Sequence, residues 1–125
     1  MEEVVTDDAP DALGPYSQGT VSDGKVYVSG QGPIDPATGE VESDDVTAQT
    51  ERTLENVGAI LEAGGSSLDS VVKANVYLTD MDDYEAVNEA YASFFSEPYP
   101  ARAAVEVVEL PIDIKVEIEA IGEVE

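Results

Sequence analysis

The sequence predicts an α+β fold: one domain, residues 1–125, in ββαβαββ order, with a mixed sheet and two helices on one of its faces. Three observations predict it. Two stretches carry apolar residues at helical spacing, the remaining apolar runs alternate as strands do, and no linker or internal repeat divides the chain. A hydrophobic content of 42% over 125 residues can fill one core without disulfides or a structural metal.

The elements follow in order. Ser22-Asp23-Gly24 is a turn, residues 25–29 form the strand after it, and a hairpin partner falls within residues 16–21. Residues 32–42 hold Pro33, Pro36 and Gly39 and form a loop. Over residues 45–63, Val46, Thr50, Thr53, Leu54, Val57, Ile60 and Leu61 share one helical face. Asp44 or Asp45 caps that helix and Gly64-Gly65 stops it. Residues 71–79 are the most β-rich run. A second helix spans about 81–95, capped by Asp80, with Tyr84, Val87, Ala90, Tyr91 and Phe94 on one face; Pro98 and Pro100 prevent its extension. Strands at 103–108 and 114–121, joined by a turn at Leu110-Pro111, complete the sheet.

Alternation assigns the faces. Ile114, Val116, Ile118 and Ala120, then Val105 and Val107, then Val72, Ala74, Val76 and Leu78 read as the side beneath the helices. The opposite set mixes Lys115, Glu117, Glu119, Arg102, Lys73 and Asn75 with apolar Val71, Tyr77, Ala104, Val108 and Ile121. Such a face is too apolar for free solvent, and no helix remains to cover it, so another subunit is the expected cover.

Composition excludes much chemistry. The chain has no histidine and no cysteine, hence no Ser-His-Asp triad, no thiol nucleophile and no imidazole or thiolate metal site. It carries 28 acidic against 5 basic side chains, a net charge of −23, which opposes binding to nucleic acid or to an anionic membrane. The acids are spread along the whole chain rather than gathered in a tail, as expected of a protein from the salt-loaded cytoplasm of a halophile. The start of the chain has no signal-peptide pattern and no apolar run approaches the ~18 residues of a membrane span, so a cytoplasmic location is expected.

Several motifs are specific: Gly14-Pro15-Tyr16-Ser17-Gln18-Gly19, Val28-Ser29-Gly30-Gln31, Pro36-Ala37-Thr38-Gly39-Glu40, Leu54-Glu55-Asn56-Val57, Val87-Asn88-Glu89-Ala90-Tyr91, Tyr99-Pro100-Ala101-Arg102 and Val116-Glu117-Ile118-Glu119-Ala120-Ile121. Together, and in this order, they resemble the RidA/YjgF family of reactive-intermediate deaminases over residues 9–121. The resemblance implies a chorismate-mutase-like fold, a homotrimer with clefts between subunits, and hydrolysis of enamines and imines such as 2-aminoacrylate to a 2-keto acid and ammonia. That activity is of the 2-iminobutanoate/2-iminopropanoate deaminase type, with no metal and no cofactor. A different reading keeps the trimer as a non-catalytic sensor of 2-keto acids. A ribonuclease role, ascribed to some relatives, conflicts with the charge, and fold likeness alone does not support a chorismate mutase.

Residues alone already single out Arg102, one of two arginines, because its planar fork matches a carboxylate; it could equally neutralise nearby acids. By the resemblance it is the substrate-binding arginine. Arg52 has no such match and reads as surface charge. Glu117 shares the alternation of Arg102, so both could line one cleft, and a carboxylate beside a water can move protons during imine hydrolysis. The resemblance makes Glu117 the water-positioning residue, with Glu119 as rival. It also places Tyr16, Ser29 and Asn88 around the cleft, and Ala104 where many members have a cysteine, a position at which the backbone carbonyl would help hold the water. Gly30 and Gly32 read as permitting close approach. The segment 95–100 is a few residues shorter than in common members.

The charge generates the first prediction. Repulsion among 23 net charges acts over about 8 Å at physiological ionic strength and about 3 Å at 1 M salt, and a trimer would carry three times −23, or −69. The melting temperature and the assembled fraction should both rise steeply from dilute buffer to molar KCl, with sulfate exceeding its ionic-strength effect. Coincident melting curves at low and molar KCl would contradict the halophilic reading.

Overall fold

A computed structural model describes all of residues 1–125 and places helix α1 at Val46–Ala63. Asp45 caps it: its Oδ2 accepts from the Ala48 backbone N–H at 2.9 Å. The chain leaves the helix through Gly64 and through Gly65 at φ +90, a conformation side chains rarely adopt. Leu54, Val57, Ile60 and Leu61 form its fully buried stripe. Helix α2 is shorter than the sequence predicts, Tyr84–Ala92, because its first turn, Met81–Asp83, winds as a tighter 3-10 turn. Asp80 caps that turn through the Asp82 N–H. Phe95 lies beyond the helix yet stays buried, its ring centroid 4.5 Å from that of Tyr91.

Six strands form one sheet: β1 (Glu2–Val4), β2 (Gly19–Ser22), β3 (Lys25–Gln31), β4 (Val71–Leu78), β5 (Ala101–Glu106) and β6 (Val116–Glu123). Their order is β1-β2-β3-β6-β4-β5, antiparallel except for the parallel β4–β5 pair. The α+β sheet with two helices over one face is as expected, with β1 added ahead of it. Three residues are too few for an alternating pattern to show. Val26, Val28, Ala74, Val76, Leu78, Val116, Ile118 and Ala120 meet α1, and Val87 and Tyr91 of α2, in one core. No helix is long and apolar enough to cross a membrane.

The faces differ from the alternation in two places. At the start of β4 the register shifts between Val71 and Lys73, so Val71 is buried and Val72 is exposed. In β5 the assignment reverses. Its parallel register pairs Ala74 with Arg102, Val76 with Ala104 and Leu78 with Glu106. Partners in register share a face, so Arg102 and Ala104 lie on the helix side and Val105 lies on the open side, 45% exposed. An edge strand buries little of itself, so its pairing sets its faces and its apolar residues do not reveal them.

Glu117 is paired with Tyr77, on the open side. Arg102 and Glu117, expected on one face of the sheet, therefore occupy opposite faces of the subunit. The open side carries half-exposed Tyr27 and Val105 among Lys73, Asn75 and Glu119, a surface only partly suited to solvent.

Candidate functional site

The β3–β6 register gains one residue between Val28 and Gln31, so Ser29 and Gly30 bulge at the end of β3. Two side-chain bonds hold the bulge: Gln31 Nε2 donates to the Ser29 and Gly30 carbonyls at 3.1 and 3.3 Å. The Ser29 hydroxyl donates to the Ser17 carbonyl at 2.5 Å, tying the bulge to the segment that leads into β2. Buried Gln18 ties down the N-terminal segment, accepting from Thr6 N–H and donating to the Thr6 and Pro10 carbonyls. Buried Asn56 holds the following loop by donating to the Gly32 and Ile34 carbonyls at 3.0 and 2.8 Å. Arg52 is more than surface charge: its Nη2 donates to Asn56 Oδ1 at 3.0 Å, and Nη1 pairs with Glu55 at 2.9 Å.

These segments wall a cleft of about 640 Å³ at the end of β6. Tyr16, Ser29, Glu117 and Glu119 line it, with Leu13 and Ile112 supplying an apolar rim. Gly30 has a specific part here. A Cβ on it would lie 2.6 Å from Glu117 Oε2, so the missing side chain is the room that the carboxylate occupies.

The two neighbouring carboxylates differ in their surroundings. Glu119 Oε1 accepts from Tyr77 Oη at 2.6 Å and from Asn75 Nδ2 at 3.0 Å. That bond pushes the Tyr77 phenol up to about 12. Glu117 has no such donors. Burial first, and the charge of Glu119 second, raise its carboxyl above the ordinary glutamate value. Glu119 is thus held by two donors, whereas Glu117 lines the cleft without a protein donor.

Arg102 and Asn88 form a second group, on the helix side. Arg102 Nη2 donates to Asn88 Oδ1 at 2.7 Å and to Tyr84 Oη at 3.2 Å. The guanidinium lies 4.7 Å from the Tyr91 ring centroid and 5.8 Å from that of Tyr84. Ala104 follows two residues along the same side of β5. Arg102 does not neutralise an acid, since the one ion pair in the protein joins Arg52 and Glu55. The residues singled out by sequence thus fall into two sets, Tyr16, Ser29 and Glu117 in the cleft and Arg102, Asn88 and Ala104 beyond the sheet. Tyr84 and Tyr91 escaped notice as site residues, although Tyr84, Asn88 and Tyr91 at i, i+4 and i+7 share one helix face.

A family model described as Endoribonuclease L-PSP matches residues 6–124. A RutC family protein of Pyrococcus horikoshii is 51% identical over 98% of this chain and 98% of its own. A 2-iminobutanoate/2-iminopropanoate deaminase of Salmonella typhimurium is 48% identical over 95% of this chain and 94% of its own. The crystal structure of RidA from an Antarctic Psychrobacter superposes with a TM-score of 0.95 at 48% identity, covering 99% of this chain and all of that one.

The contrast between the two carboxyls can be measured. In a carbon-detected NMR titration, Glu117 should take up its proton at a pH above the ordinary glutamate range. Glu119→Gln should move that midpoint down, because it removes a negative neighbour from a group otherwise raised by burial. A Glu117 midpoint at the ordinary value in the wild type would contradict the assignment.

Proposed function

The chain belongs to the endoribonuclease L-PSP family, the RidA/YjgF family, and from that premise we propose a hydrolase that converts 2-imino acids, and the enamines that tautomerise to them, into 2-keto acids and ammonia. The observation that carries this reading is Arg102. In a chain with 28 acidic residues, this guanidinium is held only by neutral acceptors and forms no ion pair. Such a group is set to bind an incoming anion, and the planar carboxylate of an imino acid fits its fork.

Glu117 supplies the chemistry. As a carboxylate it takes a proton from water while the oxygen attacks the C=N carbon, giving a carbinolamine. The carboxylic acid then returns that proton to nitrogen. The hydroxyl proton then crosses to nitrogen through the same carboxylate, ammonia leaves as the oxygen forms the carbonyl, and Glu117 ends ionised. Its raised pKa brings it nearer neutrality, where one group can serve as base and then acid. Tyr16 and Ser29 bound the same cleft, Tyr16 as a half-exposed aromatic wall and Ser29 through the bulge.

Arg102 and Glu117 face opposite sides of one subunit, so the working site is proposed to join Arg102, Asn88 and Ala104 of one copy to Tyr16, Ser29 and Glu117 of another. The partly apolar open face supports an assembly, and we take it to be a homotrimer of the salt-rich cytoplasm. Hydrolysis needs only water as co-reactant, which accords with a chain of carboxylates, hydroxyls and one anchoring arginine. The family's printed description speaks of a ribonuclease; a net charge of −23 opposes contact with RNA.

Two experiments test the shared site. With 2-aminoacrylate generated enzymatically in high salt, Arg102→Ala should lower kcat/KM at least roughly 10- to 100-fold, and Arg102→Lys should recover little. Glu117→Gln should abolish ammonia release while keto-acid binding survives. Unfolding and reassembling the two inactive variants together should restore activity at roughly a quarter of the sites. No recovery from a mixed assembly would refute the shared site, and wild-type protein that binds keto acid without releasing ammonia would establish a sensor instead.

Gly30→Ala probes the same carboxylate from the backbone. The new methyl collides only with the end of a flexible side chain, so the melting temperature should stay near wild type. Displacing Glu117 should still cost at least roughly tenfold in kcat. A Gly30→Ala enzyme with wild-type kcat would remove Glu117 from the reaction.

A further inference from the structure

The hydrogens of Arg102 limit how a carboxylate can reach it. A guanidinium offers parallel N–H pairs on Nη1 with Nη2 or on Nε with Nη2, so every two-pronged contact uses Nη2. Nη2 already has as many acceptors as it has hydrogens, Asn88 Oδ1 at 2.7 Å and Tyr84 Oη at 3.2 Å. A carboxylate that takes a fork must therefore displace one of these acceptors. The Asn88 bond is shorter and partly buried, whereas the Tyr84 bond is longer and exposed. Tyr84 is the acceptor that yields.

Its chemistry differs from that of Asn88 in the respect that matters next. A phenol accepts and also donates, so receiving from Arg102 does not use up its own hydrogen. Once displaced, the hydroxyl stands at the first residue of α2 beside the guanidinium, next to an oxygen that carries negative charge. We propose that Tyr84 is a substrate-binding residue, whose hydroxyl holds the second Nη2 hydrogen of Arg102 until a substrate carboxylate replaces it and then donates its own hydrogen to that carboxylate. This deepens the reading of Arg102 as the carboxylate anchor and rests on it. Asn88 and Arg102 hold the Tyr84 phenol below its ordinary pKa, which makes its hydrogen a stronger donor. The aromatic ring has a separate role, lying against the guanidinium, and phenylalanine would preserve it.

Tyr84→Phe therefore isolates the hydroxyl. Calorimetric titration of the assembled protein in molar KCl with 2-oxobutanoate, a stable carboxylate of the product class, compares wild type, Tyr84→Phe and Arg102→Ala. Tyr84→Phe should weaken binding at least about fivefold, since a hydrogen bond to a charged group is lost. The imine KM should rise by a similar factor while kcat changes little, and the melting temperature should match wild type. The neutral amide 2-oxobutanamide should bind wild type and Tyr84→Phe alike. Equal 2-oxobutanoate affinity in wild type and Tyr84→Phe, with binding lost in Arg102→Ala, overturns the role of Tyr84 and leaves the anchor intact. Wild-type affinity in Arg102→Ala, or no binding by wild type, overturns the anchor and Tyr84 with it.

Discussion

The parallel pairing of β4 with β5 governs where the functional groups of this protein can act. A strand has two sides, and residues in register across a parallel pair share one. Ala74 and Val76 are buried beneath the helices, so Arg102 and Ala104 are carried to the same side. The antiparallel register of β6 with β4 sends Glu117 and Glu119 the other way, beside Tyr77 and Asn75. Arg102 and Glu117 are thus separated by the thickness of a sheet. One chain therefore keeps the two groups apart, which is why the proposed site draws on a second copy.

The cleft side depends on a second constraint, the satisfaction of buried polar groups. Gln18, Gln31 and Asn56 are all buried, and each spends its amide on backbone groups of an irregular segment: residues 6–10, the 29–30 bulge and the 32–34 loop. These bonds give structure to stretches that neither helix nor sheet could organise. They also leave Glu117 without a protein donor while Tyr77 and Asn75 occupy Glu119. The two glutamates, two residues apart, differ because β4 supplies donors to Glu119 while burial acts on Glu117.

That origin explains what the sequence revealed and what it concealed. Helix α1 was legible in full because eighteen residues repeat one apolar stripe between Asp45 and Gly64. The motif around Arg102 was legible as chemistry, but its face was not, because Val105 resembles a core residue and only the pairing with β4 shows otherwise. Glu117 and Glu119 share an alternation, so no reading along one strand could rank them. Periodicity assigns Tyr84 and Tyr91 to the apolar face of the helix, and the resemblance assigns Asn88 to the cleft. Arg102, brought in from fourteen residues beyond Asn88, shows that this face surrounds a cation.

The charge of the protein makes that cation's environment consequential. With 28 acidic side chains against 5 basic ones, an arginine placed without constraint would have many carboxylates to meet, as Arg52 does with Glu55. Asn88 and Tyr84 prevent this for Arg102 by accepting its hydrogens without cancelling its charge, and Tyr91 covers one of its faces. Neutral acceptors satisfy the geometry of the guanidinium and leave its electrostatic demand open. In the proposed reaction the substrate carboxylate would contribute the negative charge that the protein withholds. Salt acts in the same direction: it screens the distant acids that would repel such a ligand, and it affects contacts at hydrogen-bond range much less. A strongly acidic surface and a site for an anion are compatible because the first acts at long range and the second at short range.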